Sequence, residues 1–415
     1  MGDKDLPKAA IQRTLDAVWR IESARIVATL AKVTGDVGLA EDLAQEALID
    51  ALTQWPGSGV PDNPGAWLTA VAKRKAIDAW RRRERLDEHY RAIASDLREM
   101  TEDQWQPIPD DVLRLVFIAC HPVLSREGQV ALTLRTVGGL TTEEIARMLL
   151  VPVATVQQRI VRAKKTLSAA QVPFDTPDPN EWYVRLGAVL AVLYLIFTEG
   201  YAATTGNRWI RTEVANEALR LGRVLAGLLP REPEVHGLVA LMEFQASRFA
   251  ARVNHDGSPV LLAEQDRTRW DRTQIGRGRA SRARADALGR GRGNYCLQAA
   301  IAQCHATAHS FEATDWNKIV LLYEALGRLA PGPVVELNHA VAVSMATGPA
   351  AALKIVDRLA AEGALRRSHL LPSIRGELLT KLGRTDEAKA ELLQAAALTA
   401  NEQQKAVLLA KAATL

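Results

Sequence analysis

The sequence predicts an all-α protein, and three observations carry that prediction. Ala, Leu, Arg and Glu are plentiful while Ile and Tyr are scarce, and the first group loses least on entering a helix. Apolar residues recur at helical spacing in the segments taken up below. The runs that interrupt them, "TGDVG" (34–38) and "PGSGVPDNPG" (56–65), are rich in residues that turn the chain or stop a helix. With 415 residues, 48% of them apolar, the chain can bury more than one core, so two to four domains are expected.

In order along the chain, residues 8–85 read as one compact domain of three or four helices. Residues 86–110 lose hydrophobic periodicity and gain acid and proline, which marks a linker. A second small helical domain spans 111–170, and "QVPFDTPDPN" (171–180) closes it with three prolines. Residues 181–415 form a larger helical domain. Near its end, "LNHAVAVSMATGPAAALKIVDRLA" and "IRGELLTKLGRTDEAKAELLQAAALT" each place a glycine turn (Gly348, Gly383) between two helices. Those glycines lie 35 residues apart, near the tetratricopeptide (TPR) period of about 34, so this domain is predicted to be TPR-like.

Net charge decides nothing: it is +4 overall, with 23 basic and 23 acidic residues in 1–170 and 29 against 25 in the remainder. Its arrangement is informative. Residues 73–85 hold seven basic side chains and two acidic ones, whereas 86–111 hold eight acidic and two basic. The first block suits phosphate and the second repels it. Three cysteines without a CxxC pair, and no charged-then-apolar leader, point to a cytoplasmic protein without disulfides. The apolar run "LGAVLAVLYLIF" (186–197) is too short to span a bilayer and is predicted to be a buried core helix.

Within 140–167, "LTTEEIARMLLVPVATVQQRIVRAKKTL", Thr141 and Glu144 form a capping box that starts one helix, and Pro152 forces a turn before the next. In the second helix Val156, Ile160, Ala163 and Leu167 share one face, while Ala154, Gln158, Arg162 and Lys165 point away. Small and amide side chains at the start followed by Arg and Lys suit a recognition helix in a DNA major groove. The alternative is a solvated helix of an ordinary bundle, since helix-turn-helix geometry also serves packing.

Upstream, "GLAEDLAQEALIDALTQWP" buries Ala44, Leu48, Ala51 and Trp55 and turns Asp42, Gln45, Glu46, Ile49 and Thr53 outward. An isoleucine among outward acids suits docking to a basic partner surface, or is a stray surface residue. "NPGAWLTAVAKRKAIDAWRRRER" places Trp67, Leu68, Val71 and Ala72 inward, ringed by Lys73, Arg74, Arg81 and Arg82. Aromatic and basic residues together suit melting DNA, where bases stack and phosphates need neutralising; an ordinary basic helix is the alternative.

These segments, in this order and spacing, resemble the RNA polymerase sigma factors of the extracytoplasmic-function (ECF) type, within the sigma-70 family. The resemblance implies that 8–85 is sigma region 2, whose outward residues Asp42, Gln45, Glu46, Ile49 and Thr53 grip the clamp helices of the largest core RNA polymerase subunit. It implies minus-ten promoter DNA binding and melting by Trp67, Lys73, Arg74, Arg81 and Arg82. It makes 111–170 region 4, reading the minus-thirty-five element through Ala154, Thr155, Gln158, Arg159, Arg162 and Lys165. "YLIFTEGYAATTG" and "EQDRTRWDRTQI" with the TPR-like end resemble the subgroup with a long C-terminal helical domain, implying self-regulation and a protein partner for that domain. Arg74 stands where many members carry Asn, and Leu150 replaces a frequent turn Gly.

Three features of the extension compete for attention. "GRGRASRARADALGRGRG" (276–293) is basic but lacks aromatics and reads as a solvated helix with its turns. Cys296, Cys304, His305 and His309 match no strong metal-ligand spacing, so no metal or cofactor is expected. "EQDRTRWDR" (264–272) reads as an internal ion-pair cluster, or else as a ligand or partner site. No nucleophile and base sit in a catalytic pattern, so the chain is not expected to be an enzyme. The rival to the sigma reading is a dimeric helix-turn-helix regulator with a helical sensor domain, which would bind paired half-sites without polymerase.

Overall fold

The computed structural model describes residues 8–83, 109–149, 151–201, 210–254, 258–366, 368–399 and 401–415. The chain is helical throughout these residues, with no strand among them and a single isolated antiparallel bridge between Val253 and Pro259. It divides into two compact units, Met1–Val192 and Leu193–Leu415.

The first unit begins with α1 (Lys8–Thr34), α2 (Val37–Ser58) and α3 (Pro64–Arg83). Gly35 at φ +67° ends α1, and the Asp36 side chain starts α2 by accepting from the amides of Gly38 and Leu39. Leu15, Trp19, Ile26 and Leu30 of α1 meet Leu43, Ala47 and Trp55 of α2 and Leu68 and Val71 of α3, all buried. The expected acidic linker falls almost wholly outside the described residues.

The helices α4 (Pro109–Ala119), α5 (Arg126–Thr136), α6 (Thr142–Leu149) and α7 (Val153–Ala169) follow. The sequence divides 8–85 from 111–170, yet both groups lie in one unit: α4 packs on α1, and α7 meets α2. Glycine makes part of this approach feasible. A Cβ on Gly139 (φ +69°) would lie 2.4 Å from the Ser23 hydroxyl of α1.

The apolar run forms α8 (Trp182–Tyr201), with Leu186, Val189, Leu190, Ile196 and Phe197 buried as expected. The division between units falls inside this helix. No described helix is long and apolar enough to cross a membrane.

The second unit contains α9 (Thr212–Leu228), α10 (Pro233–Ala246), α11 (Arg272–Ala287), α12 (Asn294–Thr307), α13 (Trp316–Leu329), α14 (Pro333–Ala346), α15 (Pro349–Ala361), α16 (Leu370–Lys381), α17 (Thr385–Leu398) and α18 (Glu402–Ala413). α10 is apolar and buried on all sides, as a central helix must be, with α9, α11 and α12 around it. From α12 onward each helix packs on its successor, the pattern of a helical stack. Gly348 and Gly383 adopt φ of +105° and +74° at the turns where their spacing placed them.

The ion-pair network expected within 264–272 does not form among the described residues. Asp266 and Asp271 are instead used as helix caps, accepting from the amides of Thr268 and Gln274, because short acids before a helix satisfy its free N–H groups. The basic run 276–293 is a largely exposed helix with its turns, as expected, and several of its arginines are paired: Arg277 with Glu243, Arg290 with Glu232, and Arg282 and Arg292 with Asp286.

Candidate nucleic-acid and protein interfaces

The helix-turn-helix forms as its sequence dictates. The Thr141 hydroxyl accepts from the Glu144 amide at 3.1 Å, and the Glu144 carboxylate accepts from the Thr141 amide at 2.8 Å, so two orphan donors are satisfied reciprocally. Pro152 sits extended at φ −58°, ψ 145° and α7 restarts behind it. Val156, Ile160, Ala163 and Leu167 are buried, and Ala154, Gln158, Arg162 and Lys165 are exposed. Thr155 and Arg159 are half-buried at the edge of that exposed face. The side chain at Leu150 lies outside the described residues.

On α3, Leu68, Val71 and Ala72 are buried and Arg74 is exposed. Trp67 is half-buried, edge-on to Trp55 with ring centroids 5.5 Å apart. Lys73 is half-buried and already partnered. The side chains of Arg81 and Arg82 lie outside the described residues. On α2, Asp42, Glu46, Ile49 and Thr53 are exposed while Gln45 is half-buried. Ile49 is 60% exposed and Leu52 beside it is also exposed, which leaves an apolar strip among acids. Glu46 and Asp50 of this helix share Lys75 of α3, at 3.5 and 3.0 Å.

Sequence reasoning missed the group that joins these surfaces. Glu41, buried on α2, receives Arg135 of α5 at 2.7 Å and Lys164 of α7 at 2.5 Å. Lys164 also binds Asp42 at 2.7 Å, and Arg135 donates to the Leu140 carbonyl at 3.0 Å. Burial alone pushes the Glu41 carboxyl up, but Arg135 and Lys164 together outweigh it and hold the group below its ordinary value. Burial likewise lowers Lys164, and Glu41 with Asp42 outweigh that and raise it. A second tie joins Lys32 of α1 to the buried Asp111 of α4, at 3.3 Å. The one clue in the sequence was an acid at a position of α2 that the helical wheel turns inward, and nothing local named its partners 94 and 123 residues away.

Among the described residues no group of three or more His, Cys, Asp or Glu side chains could hold a metal ion. Cys296 is buried, with its thiol pushed up by burial and by Glu234 and turned toward the Pro233 carbonyl.

Comparison with known proteins follows the same divisions. Residues 20–86 match sigma-70 region 2, residues 114–167 match sigma-70 region 4, and residues 185–286 match a family of unknown function, DUF6596. A Rhizobium meliloti protein described as uncharacterised is 43% identical over 377 residues, covering 89% of this chain and 88% of its own. Proteins from two strains of Mycobacterium tuberculosis, described as probable ECF RNA polymerase sigma factor SigI, are 28% identical over 163 residues, covering 38% of this chain and 56% of theirs. No solved structure matches. Sigma-70 regions 2 and 4 thus stand in order ahead of a long helical extension, and the chain is distantly similar to proteins described as probable ECF sigma factors.

Proposed function

We propose that this protein docks on core RNA polymerase through the outward face of α2 and directs it to promoters with two unlike DNA elements. In this reading Asp42, Gln45, Glu46, Ile49 and Thr53 meet the clamp helices of the largest subunit, where a basic surface would complement the acids and cover the apolar strip. Trp67, Lys73 and Arg74, with Arg81 and Arg82, hold the minus-ten element as it melts. Ala154, Thr155, Gln158, Arg159, Arg162 and Lys165 read the minus-thirty-five element. The polymerase performs the chemistry.

The observation that carries the reading is the amphipathic division of α7: a buried face that fixes the helix, and an exposed face of amide and basic side chains suited to base edges and phosphates. The geometry of the free chain adds a condition. Lys164 occupies Asp42, and α7 is tied to α2 through Glu41, so engagement of polymerase and of both elements requires these ties to open. The C-terminal unit acts on that opening, and a protein partner reaches it through its helical stack.

Purified protein with core polymerase tests this on a promoter template. Promoter-specific transcripts are expected only when both are present, and DNA binding as a dimer at paired half-sites without polymerase would overturn the reading. Truncation after Val192 removes the second unit and is expected to change transcript yield; unchanged yield would remove the regulatory role.

A further inference from the structure

Among the described residues the second unit pairs several of its buried charges. Glu243, almost fully buried, takes Arg223 at 2.6 Å and Arg277 at 3.4 Å; Glu217 takes Arg220; Arg375 bridges Asp357 and Glu391. Around Trp270 and Tyr201, by contrast, Arg248, Arg252 and Arg267 gather without an ion pair to any carboxylate among the described residues, although Arg252 and Arg267 are only 5% and 7% exposed. Unpaired buried cations are costly, and natural proteins keep them paired or hydrogen-bonded.

Aromatic rings take up part of the charge. The Arg252 guanidinium lies 3.7 Å from the centroid of Tyr201, which stacks with Phe197 and is tilted against Phe249, and Arg248 and Arg267 lie 5.3 and 4.6 Å from that of Trp270. Arg267 is also well supplied with hydrogen bonds, donating to the carbonyls of His305 at 2.6 Å and Ala308 at 2.9 Å and to the Thr314 hydroxyl at 3.4 Å. Its neighbours are not. Among the described residues Arg248 donates only from Nε, to Gln265, and Arg252 is hydrogen-bonded to Tyr201 while its buried Nη1 has no partner.

The surroundings register an excess of positive field. Burial, then Arg248 and Arg267, press His305 down to about 4, so it stays neutral near pH 7. Burial pushes the Tyr201 phenol up, but Arg248 and Arg252 outweigh it and bring it below its ordinary value.

We propose that Arg248 and Arg252, backed by Arg267 and Tyr201, form a binding site for a small ligand bearing a phosphate group. Adjacent guanidinium forks with free donors match a compact dianion better than a monoanion, and phosphate offers oxygens enough for both forks. Arg248 is the open side of this site and Arg252 its enclosed side, which suits a small ligand better than a polymer backbone. The site lies within the segment matching the family of unknown function and stands independently of the sigma-factor reading.

Calorimetric titration of inorganic phosphate into the full chain at constant ionic strength, with glucose 6-phosphate and succinate in parallel, tests the proposal. Saturable binding of inorganic phosphate or the phosphate ester is expected, weakened at least about tenfold in Arg248→Gln, whose half-exposed side chain can be replaced without opening the core. Circular dichroism verifies the fold of that variant, and Arg248→Lys, which keeps the charge but loses the fork, serves if it unfolds. Absence of saturable binding by both phosphate compounds overturns the site, as does equal affinity in wild type and both variants. Binding of succinate alone overturns the phosphate assignment.

Discussion

Glu41 ties three helices of the first unit together. It is a buried carboxylate whose two cationic partners come from helices far along the chain, so removing its charge leaves Lys164 with Asp42 alone and Arg135 with only the Leu140 carbonyl. Glu41→Gln is expected to destabilise the first unit by ~3 kcal/mol, read from urea unfolding, because the loss of one member leaves uncompensated charge behind. Its folded pKa lies below the ordinary 4.5, so its contribution is complete above that value and is lost as pH falls through the folded value. Lys164 is raised above the ordinary 10.5, so its contribution is present below that value and is lost as pH rises through the folded one. The acid limb of the stability–pH profile should therefore flatten in Glu41→Gln, while the neutral plateau drops. On the reading face, Arg162→Ala should lower promoter-specific initiation by ~1–3 kcal/mol if the side chain contacts a base, with core-polymerase binding unchanged.

At the scale of elements, what could be read beforehand and what could not divide along a physical line. The capping box at Thr141 and Glu144, the Pro152 turn and the two faces of α7 were legible because each depends on residues within a few positions of one another. The glycine turns at Gly348 and Gly383 were legible for the same reason. Illegible were pairings across long stretches of chain: Glu41 with Arg135 and Lys164, and the assembly of arginines from 248 to 267 around two rings. The acids of "EQDRTRWDR" were misjudged because a short acid can cap a helix as readily as it pairs with a neighbour, and sequence does not say which. Helix crossings were equally hidden. A Cβ on Gly237 of α10 would lie 2.7 Å from the Cys296 sulfur and 2.8 Å from its backbone nitrogen on α12. Gly237→Ala is accordingly expected to force these helices apart and lower second-unit stability by about 1–3 kcal/mol, measured by thermal unfolding.

For the whole molecule, the first unit holds in one body two modules whose proposed tasks lie at separate places on a promoter. Lys164→Glu would set a third negative charge against Glu41 and Asp42 and is expected to part α7 from α2. Dyes at the exposed Ser58 and Ser168 should then show reduced energy transfer, and unchanged transfer would mean that apolar contacts alone keep the modules together. If Asp42 docks on polymerase as proposed, the carboxylate engaged by Lys164 is withheld from it. On that proposal only molecules with that side chain released compete for the enzyme, so measured affinity equals intrinsic affinity scaled by their fraction, falling about tenfold for every ~1.4 kcal/mol by which closure is favoured. Response to a signal then needs no new docking surface, only a shift in how often one lysine lets go.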